Sequence, residues 1–591
     1  MTPTDAPRHG TPIATLPAWR ARAVWTTVAL GLVGMMVQSW RAQVEQGAFL
    51  RNQGAQRYLR HFPLPVQRGP ILDRNGKALA LSVPVKTLWV DPQLFKNQQD
   101  RWSVIAKDLG ISLQELRSRV DNGGSHFAFI ARQIDPKVAA NITALHVSGL
   151  YSLNENRRYY PAGSITAPLL GFTNIDARGI EGVELAYNNW LSGKPGEETD
   201  LRDNHGHPFA VLGKSRLAEP GKALTLSIDR NIQYVAYTAL ASAVQRFQAR
   251  SGAAVLMDVR TGEILAMVGY PTFNPNDRSD YQPGLTNNRA IADTFEPGSV
   301  MKPFAIAAAL DDGSIRPNST FDVNTNCFRV AQYCIQDDVR HGTLDLAQIL
   351  KYSSNIGAAK ISLRTPPADL YQMLHQAGFG QVSGLGLPGE TSGTLPAWQG
   401  WDVARRAAMA YGYGLSVTPL QLAAAYGAIA NNGVYVPPTL TRRDGHAVTG
   451  TRIMPSDTAQ RLQKWLSGVT QRGGTGFLAD VPGYTVAGKT GTSIIANGRG
   501  GFHKNLVNTT FVGFAPAHNP QLVMAVVVRG PTQGWRYGGV VAAPVFRVTM
   551  ATALEKMNIR PDASSRNNLA IKPFSAVQEQ HWAEGAGDAA H

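Results

Sequence analysis

The chain reads as an α+β protein tethered to a membrane. A β-rich N-terminal pedestal precedes a larger domain built on an antiparallel sheet, with helices on both faces and an inserted helical block. Three observations predict this. An uncharged run, "AVWTTVALGLVGMMVQSW", spans residues 23–40. Short strand-like stretches and turn residues fill residues 41–220. Two hairpin-like pairs of apolar runs, "SGAAVLMDVRTGEILAMVGYP" and "NTTFVGFAPAHNPQLVMAVVV", lie far apart, with mostly helical patterns between them.

Eighteen helical residues rise roughly 27 Å, about the thickness of a bilayer core. Arg20 and Arg22 precede the run, so residues 1–22 read as a cytoplasmic tail and 23–40 as an uncleaved anchor. A cleaved signal peptide is the alternative; the long n-region and the lack of a small-x-small site count against it. In the pedestal (41–220), Asn75-Gly76 between two apolar runs predicts a hairpin. The stretch "GFTNIDARGIEGVELAYNNWLSG" turns and then becomes helical up to Gly193. His205 and His207 flank a glycine in a polar loop and read as solvated residues rather than metal ligands. Pro220-Gly221 marks the boundary.

The second domain (221–556) opens with a short strand leading through Asp229 into a long amphipathic helix. Arg260-Thr261-Gly262 and His518-Asn519-Pro520 turn the two hairpins. In "TPLQLAAAYGAIANNG", Thr418 caps a helix, Pro419 takes its first position, Gln421 completes a capping box and Gly433 ends it. Residues 557–591 turn polar and Pro/Ala-rich and read as a disordered tail. At 591 residues the chain exceeds one ordinary core. Its net charge of +15 comes without a dense Lys/Arg run or a nucleic-acid motif. That excludes nucleic acid as the expected partner and leaves work near an anionic surface. Six residues separate Cys327 from Cys334, compatible with a small disulfide loop or with two free thiols.

The chemistry gathers in "FEPGSVMKP". Ser299 and Lys302 stand at i and i+3, on one helix face. A serine hydroxyl needs a base, and a lysine serves if burial or a second cation lowers its pKa. Alone, Ser299 would read as a helix N-cap. Two further fragments favour a nucleophile. "YSSNIG" places Ser353 and Asn355, and "AGKTGTS" places Lys489 in a strand. Lys489 is expected to be the second cation that holds Lys302 neutral. Gly491 would leave the strand bare for a peptide added alongside it. Thr490 and Thr492 offer hydroxyls to a carboxylate.

Ser-x-x-Lys, Ser-x-Asn and Lys-Thr-Gly in this order resemble the active-site motifs of penicillin-binding proteins. The wider stretches "NNRAIADTFEPGSVMKP", "SSNIGAAK", "YGYGLSVTPLQLA", "VAGKTGTS" and "YGGVVAAPVF" are similar to the division-specific class B transpeptidases. "RGPILDRNGKALA", "RRYYPAG" and "GFTNIDARGIEGVE" resemble that family's non-catalytic, dimerisation-like pedestal. The likeness covers roughly residues 60–555 and implies that 221–556 is a transpeptidase domain. Val300-Met301 depart from the commoner Thr-Phe, with the serine and lysine intact.

The resemblance implies a D-Ala-D-Ala stem peptide of peptidoglycan as donor and a neighbouring amine as acceptor. It implies β-lactams as inhibitors, an inner-membrane location, division-complex membrane partners, and no metal or cofactor. It also assigns roles: Ser299 the nucleophile, Lys302 its base, Ser353 a proton relay and Asn355 an orienting amide. Lys489 supplies positive potential, Thr490 and Thr492 bind the terminal carboxylate, and the Ser299 and Thr492 N–H groups hold the oxyanion. An elongation-type transpeptidase, a β-lactamase and a non-catalytic β-lactam receptor are the alternatives.

Overall fold

The computed structural model describes residues 17–49, 59–64, 66–202, 208–443, 448–496 and 502–563. His205 and His207 lie outside them, as does most of the N-terminal tail. The chain forms two compact units, one from residues 1–66 and 194–219, the other from 67–193 and 220–591.

In the first unit a helix runs over Ala18–Trp40 and continues as a π-helical turn to Glu45. It starts five residues before the uncharged run, because nothing in Ala18–Arg22 breaks a helix. It buries no residue in the protein, and among the described residues it alone is long and apolar enough to cross a membrane. The same unit holds a three-stranded antiparallel sheet in which Gly196–Arg202 lies between Leu59–Leu64 and Pro208–Arg216.

The second unit begins with the expected hairpin. Asp73 and Lys77 close the turn, with Gly76 at φ +77°. The long strand Ala78–Val90 then pairs antiparallel with Ala128–Ile134 and Leu150–Tyr159. Helices Trp102–Leu109, Leu113–Asp121 and Pro136–Thr143 bury Ile105, Leu116 and Ile142 in a cluster with Leu88, Val90 and Ile130 of the strands. This part of the pedestal is therefore more helical than the sequence reading had it. Nearby, Glu184 sits between Arg68 (2.6 Å) and Arg158 (2.7 Å), all three side chains buried.

The catalytic-type sheet is assembled from both ends of its domain, as expected. Its strands are β1 (Ser251–Asp258), β2 (Ile264–Tyr270), β3 (Ala487–Ala496), β4 (Phe502–Ala515) and β5 (Leu522–Arg529). They lie in the order β2-β1-β5-β4-β3, every pair antiparallel. Alternation divides the two faces. Leu256, Met524 and Val526 pack with α1 (Arg230–Arg246) and α5 (Ala543–Lys556). Val255, Val523 and Val527 face the cluster containing α2 (Lys302–Asp311) and α4 (Pro419–Ala430). Asp229 caps α1 by accepting from Asn231 N and Ile232 N at 2.8 and 3.2 Å. Thr418 and Gln421 form the full capping box of α4.

The tail expectation needs correction for its first seven residues. Met557 and Ile559 pack on the α1–α5 cluster, and Tyr484 Oη donates to Ile559 O at 2.6 Å. Asp562 accepts from Thr485 N at 2.7 Å. A polar composition did not reveal these few anchoring contacts. Residues 564–591 lie outside the described part.

Candidate active site

Ser299 lies in a 3₁₀ turn, Gly298–Met301, that leads into α2. Its side chain caps nothing; Lys302 Nζ reaches Ser299 Oγ at 2.9 Å instead. The hydroxyl faces the lysine rather than the free N–H groups of its own turn. Neighbouring segments lock the turn. Phe295 and Val417 exchange backbone hydrogen bonds, and Gly298 N donates to Gly412 O at 3.1 Å. Tyr426 Oη of α4 donates to Val300 O at 2.7 Å. A Cβ on Gly412, whose φ is +84°, would stand 2.1 Å from Gly298 O. Only glycine permits that approach.

Lys302 is fully buried, as are all residues of α2 from Lys302 to Ala309. Its amine sits among four oxygens: Ser299 Oγ, Ser353 O, Ser353 Oγ at 3.1 Å and Asn355 Oδ1 at 2.8 Å. Two of these, a carbonyl and an amide oxygen, can only accept. A neutral amine satisfies both with its two hydrogens and keeps its lone pair for a hydroxyl. Burial pulls the Lys302 pKa down to about 7, against an opposing pull from Asp337 and Asp338.

Ser353 ends the helix Leu346–Tyr352 in the left-handed region, at φ +62°. That conformation is uncommon for a residue with a Cβ. It turns both the carbonyl and the hydroxyl of Ser353 toward Lys302. Ser354 then caps α3 (Asn355–Arg364) by accepting from Gly357 N at 2.9 Å. Asn355, at the start of α3, has its amide set by Gln336 O, which accepts from Nδ2 at 3.0 Å.

Lys489 of β3 is also fully buried and donates to Ser353 Oγ at 2.9 Å. Ser353 therefore bridges two amines. Burial pulls Lys489 well below the ordinary lysine range, and Lys302 pushes it further. Desolvation comes first among the causes that depress each amine, and the two stand close enough to disfavour a second positive charge.

Gly491 has a packing reason beside the expected one. A Cβ there would meet Pro297 O at 2.8 Å and Val300 Cγ1 at 3.1 Å. The glycine lets β3 close on the turn that carries Ser299. Thr490 Oγ1 pairs with Thr475 Oγ1 at 2.8 Å, and Thr492 Oγ1 accepts from Gly538 N at 3.3 Å. The structure thus brings Ser299, Lys302, Ser353, Asn355 and Lys489 into one hydrogen-bonded cluster, with Gly491 against the turn. Thr490 and Thr492 sit on the same strand, with hydroxyl partners beyond that cluster. Sequence reading missed Thr475, Tyr426, Gln336 and Asp337, which belong to none of the three motifs. The cysteine spacing was the one local irregularity near the last two. Among the described residues, no group of His, Cys, Asp and Glu side chains could hold a metal ion.

A fold of this kind, with a serine hydroxyl held by a fully buried lysine at the opening of a helix beside an antiparallel edge strand, defines a serine acyl-transfer site. The model of the penicillin-binding protein transpeptidase domain matches residues 252–551, and that of the penicillin-binding protein dimerisation domain matches 63–226. The chain belongs to the penicillin-binding protein family that joins these two domains. It is 38% identical to the peptidoglycan D,D-transpeptidase FtsI of Escherichia coli (strain K12) over 566 residues, 95% of each chain. It is also 38% identical to the probable peptidoglycan D,D-transpeptidase PenA of Neisseria gonorrhoeae, covering 87% of this chain and 88% of that one. Among solved structures, the apo transpeptidase domain of Burkholderia pseudomallei penicillin-binding protein 3 is 41% identical, with a TM-score of 0.53. It covers 57% of this chain and 98% of that one. Penicillin-binding protein 3 of Mycobacterium tuberculosis with ampicillin is 27% identical, with a TM-score of 0.66 over 87% of this chain and 100% of that one.

Proposed function

We propose that the protein is a membrane-anchored peptidoglycan D,D-transpeptidase that cross-links stem peptides at the division septum. The observation that carries this is the fully buried Lys302 amine at 2.9 Å from Ser299 Oγ. Lys302, neutral in the resting enzyme, takes the proton as Ser299 attacks the carbonyl of the penultimate D-Ala. The N–H groups of Ser299 and Thr492 hold the oxyanion. Ser353, bonded to both amines, passes the proton to the departing D-Ala amine. Asn355 keeps Lys302 in place and orients the substrate amide. Lys489 adds positive potential, and Thr490 and Thr492 take the terminal carboxylate. An acceptor amine then attacks the ester, restores Ser299 and leaves the cross-link. A β-lactam acylates the same hydroxyl.

The relatives' names support the reaction and, for FtsI, the septal setting. The apolar helix fits a single-pass inner-membrane anchor. Arg20 and Arg22 at its start support an N-terminus in the cytoplasm and a catalytic domain outside. Residues 41–220 serve as a pedestal, 221–556 carry the chemistry, and the anchor and pedestal offer surfaces to division-complex membrane proteins.

A fluorescent penicillin tests the site. A stable adduct is expected on the wild type and none on Ser299→Ala. Labelling of Ser299→Ala would sink the nucleophile assignment, and rapid loss of the label would favour a β-lactamase. Cross-linking of native stem peptides separates an enzyme from a receptor. Depletion in cells should give filaments; round cells would point to elongation.

A further inference from the structure

Strands Phe328–Val330 and Tyr333–Ile335 form a two-stranded antiparallel hairpin. The Cys327–Cys334 disulfide closes it, with the Cα atoms 5.2 Å apart. Val330 and Ile335 anchor the hairpin in the core, while Cys334 is exposed.

The next two residues lead straight to the Ser-x-Asn segment. Gln336 O accepts from Asn355 Nδ2 at 3.0 Å. Asp337 Oδ1 accepts from Asn355 N at 2.5 Å and from Ile356 N at 2.9 Å. Asp337 Oδ2 accepts from the Ser354 hydroxyl at 2.5 Å. Two consecutive residues therefore make four hydrogen bonds to three consecutive residues of the site.

Those bonds set three things. They satisfy the first free N–H groups of α3 with a carboxylate, where the helix dipole favours negative charge. They fix the Asn355 amide so that Oδ1 faces Lys302. They also place a negative charge close enough to act on the Lys302 amine, alongside Asp338 and opposed by Lys489. Capping alone does not call for this arrangement, since Ser354 already caps α3 through Gly357 N.

We propose that Asp337 is a positioning residue for acyl transfer at Ser299, holding Asn355 and the Lys302 amine in register, and that the disulfide-closed hairpin delivers it. This rests on the reading of Ser299 as nucleophile and Lys302 as its base.

The test is the rate of acylation by a fluorescent penicillin across pH 5 to 9 on the full chain, with melting followed in parallel. The variants are Asp337→Asn, Asp337→Ala and Cys334→Ser. Asp337→Ala should acylate about tenfold more slowly or worse, the size of losing hydrogen bonds to a charged group. Asp337→Asn keeps the shape and one acceptor, so it should lose less. In both, the acidic limb should move to lower pH, because the charge that favours protonated Lys302 is gone. Cys334→Ser should slow acylation by a smaller factor.

A limb that stays in place while rate and melting temperature fall together would mean a structural role only and would overturn the proposal. Rates within about twofold of wild type in both Asp337 variants, below the loss expected for one charged hydrogen bond, would do the same. Unchanged acylation in Cys334→Ser would remove the hairpin from it. Ser299→Ala, carried in each background, should abolish labelling. If it does not, the nucleophile reading has failed rather than the role of Asp337.

Discussion

As the base proposed for Ser299, the Lys302 amine should make acylation steeply dependent on pH. With its pKa near 7, the neutral fraction is about 90% at pH 8, about 10% at pH 6 and about 1% at pH 5. An ordinary lysine at 10.5 would be only about 0.3% neutral at pH 8. Burial thus raises the supply of free base roughly 300-fold at that pH. The second-order rate of acylation should fall about tenfold per unit below pH 7 and level off above pH 8. Stopped-flow acylation with a penicillin lacking titratable side chains would measure it, with circular dichroism confirming the fold at each pH. A flat profile down to pH 5, or a limb above pH 9, would refute neutral Lys302 as the base. Lys489→Met sharpens the test, read on limb position rather than on rate. If the depression comes from the desolvation of Lys302 itself, the limb should stay within about half a unit. If the neighbouring cation were responsible, the limb would rise by about a unit or more.

Three further perturbations follow from the packing. Gly491→Ala should push β3 off the nucleophile turn, costing about 1–3 kcal/mol in stability and slowing acylation at least about tenfold; an unchanged acylation rate would refute the close-approach account. The Asp311 carboxyl, at the far end of α2 and bonded to Thr458 at 2.9 Å, is pushed up to about 6, first by burial. Its contribution to stability is full below pH 4 and lost as pH rises through 6, so Asp311→Asn should stabilise the protein at pH 8 by about 1 kcal/mol, discounted for partial exposure, and not at pH 4. Thermal melts at the two pH values would show it. Glu184→Ala leaves two buried guanidinium groups without their carboxylate and should destabilise by about 3–5 kcal/mol in denaturant titrations.

The three motifs of the proposed site were legible because each needs particular residue types at short spacing. The hairpins at Asn75-Gly76 and Arg260-Thr261-Gly262 were legible from turn chemistry, and α4 from its capping box. The contacts that tune the site were not. Asp337 reaches Asn355 from 18 residues upstream, and Thr475 reaches Thr490 across 15. Neither carries a local pattern, since a polar residue in a loop looks the same whether it binds water or a helix end. Glycines mislead in the same way. Gly491 announces itself in the motif, but whether it spares room for a ligand or for Pro297 depends on what the chain folds against it. The pedestal helices between Trp102 and Thr143 are short, and their propensity is modest beside the tertiary packing that holds them.

The surroundings of Lys302 explain why burial can act on it so strongly. A surface helix would give a lysine a polar flank and a route for its amine to reach water. Here α2 is buried from Lys302 through Ala309, and four of those eight residues are alanine. Small side chains let neighbouring elements approach on every side; Phe304 meets Phe379 and Tyr426 edge-on at 5.5 and 5.6 Å. The amine is left with the oxygens of Ser299, Ser353 and Asn355 as its partners. A charged amine there would lose its hydration, whereas a neutral one is fully satisfied. Ser353 holds its left-handed turn and Gly491 its close contact around that point, each unfavourable or sterically restrictive in isolation. The apolar packing around α2 therefore does more than stabilise the fold, because it keeps the lysine dry enough to be a base at neutral pH.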